Sequence, residues 1–140
     1  MVESATHADL VQAVILYAED KFGGLANVVV REDTIRPVRG EKPPRIEGFV
    51  PDVFVTDVPV TTTLVGEAKT RRDLETDHSR QQIVAFLSYL SKTAQGIFVL
   101  SVPMIAGATA RRLLSELNKP FADNAATQLV VLDKPISTGR

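Results

Sequence analysis

Residues 96–102, GIFVLSV, carry no charge, and a strand of that composition has both of its faces buried. Burial on two faces requires a layer on each side of the sheet, and the flanking segments read as the helices that supply it. Over residues 8–22 the apolar positions Val11, Ile15, Ala18 and Phe22 repeat at helical spacing, widened by Leu10 and Val14. Thr6 is placed to cap that helix and Gly23-Gly24 to end it. A second helix over residues 77–92 buries Ile83, Phe86, Leu87 and Leu90, with Thr76 or Asp77 as its cap, and a third follows Pro103 over residues 105–117. Strands fit residues 26–30, 48–56, 60–69 and 128–132, with a turn at Asp57-Val58-Pro59 and a charged connection, TRRDLETDHS, after the third. The expected class is therefore α/β, a mixed β-sheet flanked by helices in the order α-β-β-β-α-β-α-β.

At 140 residues the chain suits one domain, residues 1–140, with a proper core. Its 44% hydrophobic and 24% charged residues are those of an ordinary globular protein. The absence of cysteine excludes disulfides and thiolate metal sites, and two histidines, His7 and His78, make zinc an uncommon choice. A metal here is expected to be a hard ion, Mg²⁺ or Mn²⁺. No apolar run approaches the ~18 residues of a membrane span, and the start, MVESATHADLVQ, does not read as a signal peptide. The expectation is a cytoplasmic protein with no membrane partner. A net charge of −1 argues against binding polyanions by bulk charge and leaves room for local basic patches.

Residues 51–69, PDVFVTDVPVTTTLVGEAK, place chemistry on the second and third strands. Side chains alternate along a strand, so Glu67 and Lys69 share a face with Val65. Leu64, Gly66 and Ala68 take the other face, where small residues admit a closely packed helix. Antiparallel pairing across the turn can bring Asp52, at the start of one strand, to Glu67 and Lys69 at the end of the next. Two carboxylates about 4 Å apart then repel by roughly 4 kcal/mol at an effective dielectric near 20. Protonation, a nearby lysine or a bridging cation removes that repulsion. A divalent ion between Asp52 and Glu67, with Lys69 beside it, satisfies all three groups, and such an ion activates water for attack on a phosphoryl group. Asp57, Asp73, Glu75 and Asp77 are nearby in sequence and rank below them as ligands.

Pro51-Asp52 followed by Glu67-Ala68-Lys69, on consecutive strands, resembles the PD-(D/E)XK nuclease superfamily over nearly the whole chain. The resemblance implies a restriction-endonuclease-like core of order α-β-β-β-α-β, with Asp52 and Glu67 as metal ligands and Lys69 as the catalytic lysine. It also implies a Gln on the following helix. Gln82 opens Gln82-Ile83-Val84-Ala85-Phe86, with Phe where many members have Tyr, and Gln81 competes for the position. A Glu on the first helix serves some members as a further metal ligand, a role that falls to Glu19, at the border of the buried stripe. The implied activity is hydrolysis of DNA, in preference to RNA, by a metal-activated water, as an endonuclease rather than an exonuclease. Compact members similar to Holliday-junction resolvases act as homodimers.

Two basic groups offer backbone contacts to nucleic acid: Arg71, Arg72 and Arg80 around the second helix, and Arg39, Lys42 and Arg45, with Arg31 and Arg36, around the loop RPVRGEKPPR. The rival reading is a non-catalytic nucleic-acid-binding or assembly module on the same fold, to which the near-neutral charge is suited. A small α/β protein without phosphate chemistry, its Asp52 and Glu67 far apart, is the third.

Overall fold

A computed structural model of the chain describes residues 2–24, 28–32, 43–123 and 127–133. Its five strands lie in chain order in one sheet: β1 (Val28–Glu32), β2 (Val53–Asp57), β3 (Thr63–Ala68), β4 (Gly96–Ser101) and β5 (Thr127–Leu132). The first two pairings are antiparallel and the last two parallel. Helix α1 (Val2–Lys21) covers one face; α2 (Arg71–Leu74), α3 (Asp77–Leu90) and α4 (Gly107–Leu117) contribute to the other. The protein is thus α/β, an open mixed sheet flanked by helices.

The central parallel strands explain the three layers. All six residues of β4 are buried. Ile97 and Val99 join Val11, Val14, Ile15 and Ala18 of α1 in one apolar cluster, while Phe98 and Leu100 join Ile83, Phe86, Leu87 and Leu90 of α3 and Leu113 and Leu114 of α4 in another. Each fully buried side chain of this size stabilises the fold by about 1.5–3 kcal/mol. On β3 the alternation is as read: Val65 faces α3, and Leu64 and Ala68 face α1.

Gly66 stands under α1, and a Cβ there would overlap the Cγ1 methyl of Val14. Gly66→Ala is expected to destabilise the protein by about 1–3 kcal/mol, the usual cost of overpacking a core. Chemical denaturation measures it, and Val14→Ala in the same chain should recover most of the loss.

Several boundaries differ from the sequence reading. Helix α1 begins at Val2, so Thr6 lies inside it rather than capping it. Its other end is as expected: Gly24 N–H donates to Glu19 O at 2.7 Å, and Gly23 and Gly24 take φ values of 72° and 113° that glycine permits. The charged connection after β3 contains α2, held by a reciprocal cap between Thr70 and Asp73, and Thr76 rather than Asp77 caps α3 by accepting from Ser79 N–H at 3.1 Å. Before β2, residues 46–49 form only an isolated bridge closed by Ile46 and Phe49, and a 3-10 turn over Met104–Ala106 precedes α4. Residues 26–27 of the first expected strand lie outside the described residues, as do Arg36, Arg39 and Lys42. Among the described residues no helix is long and apolar enough to cross a membrane.

Candidate active site

The register of the β2–β3 hairpin pairs Val53 with Gly66, so the next position outward sets Asp52 opposite Glu67. Two bonds lock the pair. Asp52 N–H donates to Glu67 Oε2 at 2.8 Å, and Ala68 N–H donates to Asp52 Oδ2 at 2.9 Å. Each carboxylate therefore has one oxygen tied to the opposing backbone and one turned elsewhere. Glu67 Oε1 lies 3.7 Å from Lys69 Nζ, and Asp52 Oδ1 lies 3.6 Å from His7 Nε2.

Glu67 is only 2% exposed. Burial drives its pKa well above the ordinary carboxylate value, the charge of Asp52 adds to the rise, and Lys69 opposes it. Lys69 follows β3 and continues its ladder, donating its backbone N–H to Ser101 O at 3.0 Å. Its ammonium donates to Gln82 Oε1 on α3. Of the two glutamines that compete on sequence, Gln82 is the one turned to the lysine, and Gln81 is exposed. Phe86, one turn on, is fully buried, its ring 6.5 Å from that of Phe49 and 6.4 Å from that of Phe98. A Phe suits that position because nothing polar is asked of it.

Asp52, Glu67, Lys69 and Gln82 are thus brought together, and Glu19 is not. It lies exposed near the C-terminal end of α1, twelve residues and roughly 18 Å along the helix from His7. The helix instead presents His7 to Asp52, and that carboxylate raises the imidazole pKa above 6.5, against the opposing effect of burial. His7 stands four residues before Val11, so it extends the Val11–Ile15–Ala18 stripe by one turn; following the stripe one turn further back would have found it. The remaining acids are accounted for locally. Asp57, at the far end of β2, accepts N–H bonds from Thr61 and Thr62 at 2.7 and 2.9 Å and the Thr61 hydroxyl, which lower its pKa to about 2. Asp73 serves the α2 cap, and Glu75 and Asp77 are exposed.

Arg71 and Arg72 are exposed in α2, directly after Lys69 and Thr70. Arg80 pairs with Glu116 at 3.1 Å in a cleft of about 500 Å³ between α2, α3 and α4, which Arg112 and Lys119 also line. That cleft does not include the carboxylate pair. Arg45 is exposed and donates to Gly48 O at 3.0 Å. His78 packs edge-on against Phe49, ring centroids 5.6 Å apart.

Among the described residues no three His, Asp or Glu side chains are grouped closely enough to hold a metal ion. The donor chemistry of the pair nonetheless fits a hard divalent cation. Two carboxylates face each other across one strand pairing, each with an oxygen not tied to the backbone, and water and substrate oxygens ordinarily complete such a coordination sphere. Compared with protein families, with curated proteins and with solved structures, the chain matches none. The fold and the cluster define it as an α/β protein with an interlocked carboxylate pair, a lysine and a glutamine at one end of its sheet.

Proposed function

We propose that the chain is a metal-dependent nuclease hydrolysing DNA phosphodiester bonds, with Asp52 and Glu67 holding Mg²⁺ or Mn²⁺ and Lys69 as the catalytic lysine. The interlock carries this reading: two reciprocal backbone bonds hold two carboxylates face to face, one of them nearly fully buried. Lys69 and His7 are the basic groups beside the pair, and a divalent cation would take the place of the proton that burial favours on Glu67. Such a cation, when bound, lowers the pKa of a water and offsets charge developing on the phosphate. The lysine ammonium has three donors, of which Gln82 accepts one and Glu67 attracts another, leaving a third for the attacking water or a phosphate oxygen. Gln82 limits the rotamers of Lys69 and so keeps that third donor aimed. Arg71 and Arg72, exposed just past the lysine, would supply contacts to the phosphate backbone.

The same residues carry the resemblance to the PD-(D/E)XK superfamily, and membership of it is part of the proposal, as are internal cleavage, action as a homodimer and a cytoplasmic setting. One observation, the net charge of −1, favours the alternative of a non-catalytic binding or assembly module. The deciding experiment incubates the native protein and Lys69→Ala with linear, flap, single-stranded and four-way DNAs in Mg²⁺ or Mn²⁺. Cleavage by the native protein that the variant lacks is the expected result. Binding without cleavage would establish the module, and neither binding nor cleavage would leave an α/β protein with no phosphate chemistry.

A further inference from the structure

We propose that Met104 and Ile105 form an apolar wedge that holds a nucleobase of the bound strand out of its stack beside the carboxylate site. The inference rests on the nuclease reading and deepens it, because it makes continuous duplex a substrate that this turn opens.

The position follows from the parallel pairing of β3 and β4. Ser101 is the register partner of Ala68, and Lys69 N–H donates to Ser101 O at 3.0 Å. The chain therefore leaves β4 at the end of the sheet that carries Asp52, Glu67 and Lys69. Met104 follows Ser101 by three residues, so the chain keeps it within roughly 10 Å of that strand end.

The turn is held firmly. Val102 is buried and its N–H donates to Leu132 O at 2.9 Å; Ala106 is buried and its N–H closes the turn on Pro103 O at 2.9 Å. Between these anchors Met104 is 64% exposed and Ile105 73%. Among the described residues, the exposed Val58 and Val60, on either side of Pro59, belong to the β2–β3 turn at the opposite end of the sheet.

Two side chains fall far short of the roughly 800 Å² per partner that a stable protein interface buries. They match what a side-chain wedge requires, since one or two apolar groups suffice to part a base step. The exposed Arg71 and Arg72 follow Lys69 at this same end, which suits phosphates held by cations with a base resting on the apolar crest.

The test uses Met104→Ser/Ile105→Ser in the full chain. Neither side chain belongs to the core, so the variant should melt with the native protein. The probes are a duplex with 2-aminopurine at a central step and the same labelled strand alone. Ca²⁺ in place of Mg²⁺ lets binding be read apart from cleavage. The native protein is expected to raise the fluorescence of the duplex severalfold, and the variant to leave it unchanged. In Mg²⁺ the variant should cut the single strand within about twofold of the native rate and the duplex at least about tenfold more slowly, since unstacking is what the wedge supplies. Met104→Leu/Ile105→Val, which keeps the apolar bulk, should behave as native.

Equal fluorescence and equal duplex cleavage by the serine variant would overturn the wedge and leave the nuclease reading standing. Equal loss on both DNAs would also overturn it, since the turn would then supply only general affinity. A native protein that raises the fluorescence and cuts neither DNA would retain the wedge and remove the nuclease reading. Failure to bind either DNA would remove both.

Discussion

Glu67→Gln is expected to abolish metal-dependent cleavage and yet to melt higher than the native protein when both are free of metal at about pH 8. The buried carboxyl is the reason. Its pKa stands well above 4.5, first because burial penalises the charge and second because Asp52 is beside it. Between pH 4.5 and that higher value the native protein retains a proton that the unfolded chain has released, so stability falls as pH rises through this window. Glutamine has no charge to bury, and its carbonyl can still accept the Asp52 N–H that Glu67 accepts at 2.8 Å. The gain should be several degrees, at roughly 3 °C per kcal/mol for a chain of this length, and should vanish near pH 4, where the unfolded carboxyl is protonated too. Added Mn²⁺ should reverse the ranking. At a hundredfold excess over its dissociation constant, a cation bound only by the native state stabilises it by about 2.7 kcal/mol, and the variant lacks that ligand. Cleavage should fall by more than the roughly 10–100-fold that outer partners of a metal site cost. Calorimetry with and without Mn²⁺ over this pH range gives the answer: a metal-free variant that melts lower would show the carboxylate to be structural.

Lys69→Ala should move metal-free stability the opposite way. Its ammonium lies 3.7 Å from Glu67 Oε1 and lowers the pKa of that carboxyl, so its removal leaves the buried Glu67 beside Asp52 without the cation that offsets its charge. The variant is expected to melt lower than native at about pH 8 and to be largely restored by Mn²⁺, which takes over the neutralisation. Cleavage should not be restored. Loss of a positioned proton donor or water-orienting group costs about 10²–10⁴-fold, and Lys69→Arg should rescue little, because a planar fork does not reproduce a compact ammonium. Gln82→Ala separates chemistry from positioning. It removes only the acceptor that aims the ammonium, so its loss should be smaller, while its metal-induced shift in melting temperature stays native. A Lys69→Ala protein that cuts at the native rate would remove the lysine from the mechanism.

Much of the layer structure was legible in the chain because it depends on local periodicity. The apolar run of β4 called for cover on both faces, and the α1 and α3 stripes supplied it; the small side of β3, at Gly66 and Ala68, marked where a helix comes close. Element ends were less legible, since they depend on particular hydrogen bonds. Thr70 and Asp73 could cap a helix only by reaching each other, and a run of charged residues does not announce that.

The candidate site divides along the same line. Sequence alone determined which residue types stand on the β2–β3 hairpin, that Glu67 and Lys69 share a face, and that a glutamine follows on the next helix. Those statements follow from the alternation of a strand and the spacing of a helix. Only the tertiary structure decided the register that sets Asp52 against Glu67, the choice of Gln82 over Gln81, and the arrival of His7 where Glu19 had been expected. A single-residue slip in the hairpin would have turned the carboxylates to opposite faces. The buried faces of the two strands oppose such a slip, and the bonds from Asp52 N–H to Glu67 and from Ala68 N–H to Asp52 hold the pair in register, contacts between residues far apart in the chain that exist only once the strands have paired.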